Sequence, residues 1–125
     1  MFFSSFHSFI MIIISPIFDR CRQEQEDFNK VAQKKLIPIA GDICMKSLGI
    51  SQSDQKKLSH VHVVFHLAAT VSFNQPLDEA IEMNCTGTMH LLKLMQTFKN
   101  INAFVHVSTA YVNSNKKNCT VEEKV

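Results

Sequence analysis

Three short stretches carry small or hydroxyl-bearing residues where a packed core would want valine or isoleucine. They are Ala40-Gly41-Asp42, Leu67-Ala68-Ala69-Thr70 and Val107-Ser108-Thr109-Ala110-Tyr111. Each follows an apolar run, and small side chains at a strand end leave room for a ligand. Open parallel α/β sheets bind nucleotides at the carboxyl ends of their strands. Three such ends on one sheet therefore mark a nucleotide cleft, although Gly41-Asp42 also reads as a plain turn. Ser108 and Thr109 offer hydroxyls suited to holding a substrate carbonyl. A serine hydrolase would need a G-x-S-x-G elbow, and no glycine flanks Ser108. Tyr111 lacks a lysine four positions on, where Asn115 stands.

Asn84 falls between Ile81 and Thr88 on the apolar stripe of a long helical segment. A buried amide needs partners. It would bond a backbone carbonyl or hold a water near the cleft. Gly87 lies inside the same helix, where glycine costs about 1 kcal/mol relative to alanine, so it implies close approach of helix and sheet. His60, His62 and His66 alternate onto one strand face, and His106 lies on the next strand. No carboxylate or thiolate stands at ligand spacing, so no metal is expected; they read as satisfied core or strand-edge histidines. Cys21, Cys44, Cys85 and Cys119 form no C-x-x-C, which reads as an intracellular chain with reduced thiols.

The elements that would position these residues follow from composition and pattern. The chain has 125 residues, enough for one domain, and 46% are hydrophobic, enough for a core. With 13 basic and 11 acidic residues, no Trp and one Tyr, it offers nucleic acid neither a basic face nor a stacking platform. Residues 1–18 carry no Asp, Glu, Lys or Arg. Their apolar run, 9–14, is shorter than the ~18–20 residues a membrane span needs. It also lacks the basic start of a signal peptide. An apolar tail, or a strand without neighbours, is expected there.

Residues 18–35 read as a charge-rich helix. Strands are expected over 36–40, 61–67 and 103–112. A short helix follows Ser51 or Ser53 as its cap. A long helix runs from Pro76 to about Asn100, with acidic residues at its start and lysines near its end. Its buried stripe would be Leu77, Ile81, Asn84, Thr88, Leu91 or Leu92, Met95 and Phe98. Strand, helix and strand with near-continuous apolar runs predict a parallel sheet with helical crossovers.

The segments "IPIAGDI", "VVFHLAATVSFNQPLDEAIEMNCTGTMHLLKLM" and "AFVHVSTAYVN" together resemble the NAD-binding domain of the alcohol-forming fatty acyl-CoA reductases. Those are extended short-chain dehydrogenase/reductases related to the male-sterility proteins. The resemblance begins near Ser15, leaving residues 1–14 outside an expected partial NAD(P)-binding domain over 15–125. It implies an α/β fold, a partial Rossmann domain whose doubly wound parallel sheet lacks the first βαβ unit and the C-terminal part. It implies NADPH as cofactor and a long-chain fatty acyl-CoA as substrate, reduced through an aldehyde to a primary alcohol. It also implies a place at the peroxisomal or endoplasmic reticulum membrane, although no anchoring segment stands in this sequence.

Residue by residue, Asp42 and Ile43 match the pair that contacts adenine. Leu67, Ala68, Ala69 and Thr70 match the strand end lining pyrophosphate and ribose. Val107 matches a cofactor-binding position. Asn84 matches the structural or catalytic asparagine of the long helix. Ser108 and Thr109 match the hydroxyl site beside the nicotinamide, with Thr109 the catalytic hydroxyl and Ser108 the alternative. The family's T-G-x-x-G-x-x-G turn has no counterpart among Gly41, Gly49 and Gly87, the three glycines of this sequence, and its Tyr-x-x-x-Lys pair is missing too. The chain alone is therefore expected to be poorly stable, inactive and a weak NADPH binder. Another extended reductase or epimerase, or a non-catalytic Rossmann-like remnant, is the competing reading.

Overall fold

The fold is taken from a computed structural model, which describes residues 16–122. The expected apolar tail of residues 1–14 lies outside them. In chain order the helices and strands are α1 (Asp19–Glu24), α2 (Phe28–Lys35), α3 (Gln52–Leu58), β1 (Val63–His66), α4 (Leu77–Ile81), α5 (Gly87–Met95) and β2 (Ala103–His106). Strands β1 and β2 pair in parallel, with Val63 opposite Ala103 and His66 opposite His106. The expected strand–helix–strand unit is thus present. Because side chains alternate along a strand, Val64 and Phe104 share one face. They pack there against Leu94, Met95 and Phe98 of α5 and the turn after it. The other face, with Val63, Phe65 and Val105, is exposed.

Four expectations need correction. The helix over 18–35 is broken: Gln25 is extended (φ −136°, ψ 105°), and α1 and α2 are separate. Short helices need packing to persist, and of this segment only Ala32 is buried; the Phe18 and Phe28 rings meet across the break at 5.7 Å. Residues 36–40 form no strand. Leu36 is extended (φ −98°, ψ 118°), but a strand requires a hydrogen-bonded neighbour, and the described sheet has two strands only.

The long helix is interrupted by a π-turn over Glu82–Thr86, and α5 ends at Met95. A π-turn takes an extra residue per turn, so the faces before and after it fall out of phase. Leu77 and Ile81, expected to be buried, are exposed, while Met95 and Phe98 are buried as expected. The last strand stops at His106, and Ala110–Asn113 forms a 3-10 turn.

Ser51, not Ser53, caps α3: its Oγ accepts from the Asp54 N–H at 3.2 Å. Ser51→Ala is expected to cost about 1 kcal/mol of stability, because one orphan N–H of the first turn loses its acceptor. Ser53→Ala should cost less. Urea midpoints of the two variants check this.

Candidate nucleotide cleft

The carboxyl end of β1 and the loop after Gly41 enclose a cavity of about 550 Å3. Asp42, Ile43, Leu67, Ala68 and Ala69 all line it. Five residues singled out from the sequence are therefore brought together. Ile39, Leu48, Ile50 and Met83 add apolar wall that sequence reasoning missed; no local signal distinguishes them from core residues.

The loop is built by backbone constraints. The Asp42 N–H donates to the Leu48 carbonyl at 2.7 Å, and Asp42 Oδ1 accepts from the Cys44 N–H at 2.9 Å. This Asx-type turn makes Asp42 both a turn former and a wall of the cavity. Gly41 is required by space, since a Cβ there would stand 2.9 Å from the Leu48 carbonyl oxygen. Ser47, Leu48 and Gly49 follow with φ of 51°, 57° and 59°. The Cys44 thiol is raised above its ordinary value by burial first and by Asp42 next, so it stays protonated and is a poor nucleophile.

Helix α5 holds this loop in place. Gly87 is buried, and a Cβ on it would lie 2.6 Å from Ile43 Cγ1. The close approach expected of Gly87 is real, but it is to the loop at Ile43 and not to a strand. One turn on, His90 Nδ1–H donates to the Ile43 carbonyl at 3.2 Å.

Asn84 sits in the π-turn and is exposed, not buried on the stripe. Its amide finds backbone all the same. Oδ1 accepts from the Thr70 N–H at 2.8 Å, and Nδ2 donates to the Thr70 carbonyl at 3.2 Å. The backbone bonding expected of it is present. Thr70 does not line the cavity; it is the point where Asn84 fastens the chain that leaves β1.

Behind Asn84 runs a second relay that sequence reasoning did not find. Thr88 Oγ1–H donates to the Asn84 carbonyl at 2.8 Å. A hydroxyl has one hydrogen, so toward His66 at 2.9 Å Thr88 must accept, and His66 carries its hydrogen on Nε2. The visible signal was a Thr four residues after Asn84, which meets a strand-end histidine only in three dimensions.

His66 is buried beside His106, with ring centroids 5.1 Å apart. Burial first, then the His106 charge, pushes its pKa below the ordinary 6.5. An unfolded chain then binds a proton that the folded chain refuses. Stability should be full above about pH 6.5 and fall as pH drops through the folded-state pKa. His66→Gln should flatten the dependence in that window, as read by urea midpoints across pH 5–7.

Val107, Ser108 and Thr109 are exposed and do not line the cavity. Thr109 Oγ1 accepts from the Tyr111 N–H at 3.3 Å and caps the 3-10 turn. Among the described residues, no three His, Cys, Asp or Glu side chains are grouped to hold a metal, and no helix is long and apolar enough to cross a membrane.

Comparison with known proteins agrees with this geometry. Residues 15–125 match the family described as male sterility protein. The chain is 40% identical over 110 residues to fatty acyl-CoA reductase 1 of Gallus gallus, covering 87% of this chain and 20% of that protein. It is 41% identical over 110 residues to fatty acyl-CoA reductase 1 of Xenopus laevis, with the same 87% and 20% coverage. It is 36% identical over 107 residues to that of Homo sapiens, covering 85% and 20%. The chain spans about a fifth of the length of these relatives. Parallel strands joined by a helical crossover, a cavity at the strand end and a family match over 15–125 together carry one conclusion: the chain is part of a Rossmann-type, nicotinamide-cofactor-binding domain and belongs to the male sterility protein family.

Proposed function

We propose that this chain supplies the adenosine end of the NADPH cleft in a fatty acyl-CoA reductase that converts a long-chain acyl-CoA to a primary alcohol. The observation that carries the reading is the cavity at the end of β1, lined by Asp42, Ile43, Leu67, Ala68 and Ala69. Its residues fit an adenosine. Ile43, Leu48 and Ile50 give apolar wall for a base, Ala68 and Ala69 leave floor space, and Asp42 brings a carboxylate able to accept from a hydroxyl. When bound, the cofactor supplies a hydride.

The chain's own residues do the positioning. Asn84 holds the Thr70 backbone, and through it the Ala68-Ala69 floor. Thr109 Oγ1 uses a lone pair on the Tyr111 N–H, which leaves its own hydrogen available to a substrate carbonyl. Ser108 is the alternative donor. Reduction by way of an aldehyde would use this hydroxyl twice, once for each carbonyl.

Asp42→Ala tests the cleft. It should weaken NADPH binding roughly tenfold, the worth of a hydrogen bond to a charged group. Unchanged affinity would contradict the reading. The wider claim is tested on the transcript. A glycine-rich turn encoded upstream and a Tyr-x-x-x-Lys pair downstream would support it; stop codons on both sides would contradict it.

A further inference from the structure

On the far side of the loop that carries Asp42 lies a second cavity of about 280 Å3. It is lined by Lys46, Ser47, Gln55, His90 and Lys93, with Leu94 and Thr97, and shares no lining residue with the first. Lys46 and Lys93, both exposed, therefore contribute to the wall of one concave space. No Asp or Glu lines it. The ion pairs recorded among the described residues involve Arg20, Arg22, Lys30 and Lys57, so neither Lys46 nor Lys93 has a carboxylate partner there. Like charges around a shared hollow repel, and an anion between them removes that cost.

The remaining polar groups are arranged in the same sense. Gln55 Nε2 donates to the Ile50 carbonyl, Thr97 Oγ1 to the Leu94 carbonyl and His90 Nδ1 to the Ile43 carbonyl. These bonds fix the walls. Ser47 is exposed, and its hydroxyl has no protein partner among the described residues. Ser47 and Leu48 are both left-handed, a region that side chains with a Cβ rarely occupy. Such outliers cluster at ligand sites. Here the left-handed turn Lys46–Gly49 packs on α5, the helix that bears His90 and Lys93.

We propose that this cavity binds a doubly charged phosphate group between Lys46 and Lys93, with the Ser47 hydroxyl donating to it. Two ammonium groups match the near-dianionic charge of a phosphate monoester at neutral pH. The site stands independently of the cofactor cleft, because the two cavities have separate linings. The phosphate could be free or part of an organic molecule, and the two sources bind differently.

The test is a titration of the 125-residue chain with inorganic phosphate, and separately with adenosine 3′,5′-bisphosphate, against sodium chloride of equal ionic strength. Backbone and imidazole NMR signals of Ser47, His90 and Lys93 are followed together with the thermal midpoint. Both phosphates should give saturable shifts that chloride does not, and the midpoint should rise. Lys46→Ala with Lys93→Ala should weaken binding roughly tenfold or more while the His66 and Thr88 signals stay in place. Tighter binding of the bisphosphate would mark the phosphate of a larger molecule; equal binding would mark free phosphate. A response that fails to saturate, or that survives in the double variant, would overturn the site. The second outcome is what general stabilisation by excluded phosphate would produce.

Discussion

Gly87→Val is expected to destabilise the chain by about 2–3 kcal/mol, the upper part of the range for overpacking a filled position. The cause is local. A Cβ on residue 87 would stand 2.6 Å from Ile43 Cγ1 and 3.3 Å from the Ile43 carbonyl oxygen. The first atom is the inner carbon of its side chain and the second is backbone, so neither can swing away cheaply. Valine's better helix propensity returns only a few tenths of a kcal/mol. Relief must come from moving the loop that holds Asp42, so dinucleotide affinity should fall with stability. Adding Ile43→Ala should recover much of the loss, because it removes the clashing carbon. Urea midpoints of the four chains in that cycle measure the coupling. Strict additivity would mean that contact with Ile43 is not why residue 87 is glycine.

Asn84→Asp is the second large effect, and it separates geometry from charge. The replacement keeps an oxygen for the Thr70 N–H but has no hydrogen for the Thr70 carbonyl, which now faces a carboxylate. The expected loss is about 0.5–1.5 kcal/mol, the worth of one hydrogen bond at an exposed position. Thr70 should pull away and the Ala68-Ala69 floor should loosen. Amide hydrogen exchange at Thr70 should therefore accelerate in Asn84→Asp. Exchange at the Thr70 N–H unchanged from the parent chain would show that Asn84 does not fasten this strand end.

Much of the fold was legible because it rests on local pattern. The apolar runs around Val64 and Phe104 and the amphipathic stretch between them specify two parallel strands and a crossover. The cap of α3 was legible only as Ser51 or Ser53, and the Asp54 N–H bond to Ser51 decides between them. The π-turn was not legible, since nothing in Glu82-Met83-Asn84-Cys85-Thr86 departs from helical composition, and its consequence is to turn Leu77 and Ile81 outward. Residues 36–40 have strand composition, but a ladder is a property of two segments, and no described neighbour pairs with them.

The site divides in the same way. Asp42, Ala68 and Ala69 announced themselves as small or turn-forming residues at element ends, and they meet at one cavity. Ser108 and Thr109 carry the right chemistry, but β2 stops at His106 and they lie outside that cavity. The His66–Thr88–Asn84 relay was illegible for a different reason. It joins residues 22 apart in sequence at its first step, and only the packing of α5 on the sheet brings them within hydrogen-bond distance.

The most direct test of the cofactor cleft is a titration of the isolated chain with NADPH and with NADH, read residue by residue from amide NMR shifts. The sequence lacks the glycine-rich turn that would hold the phosphates at a helix N-terminus. Binding should therefore be saturable but weaker than micromolar, with the largest shifts at Gly41, Asp42, Ala68 and Ala69. Shifts confined to other residues, or sub-micromolar affinity without that turn, would contradict the account.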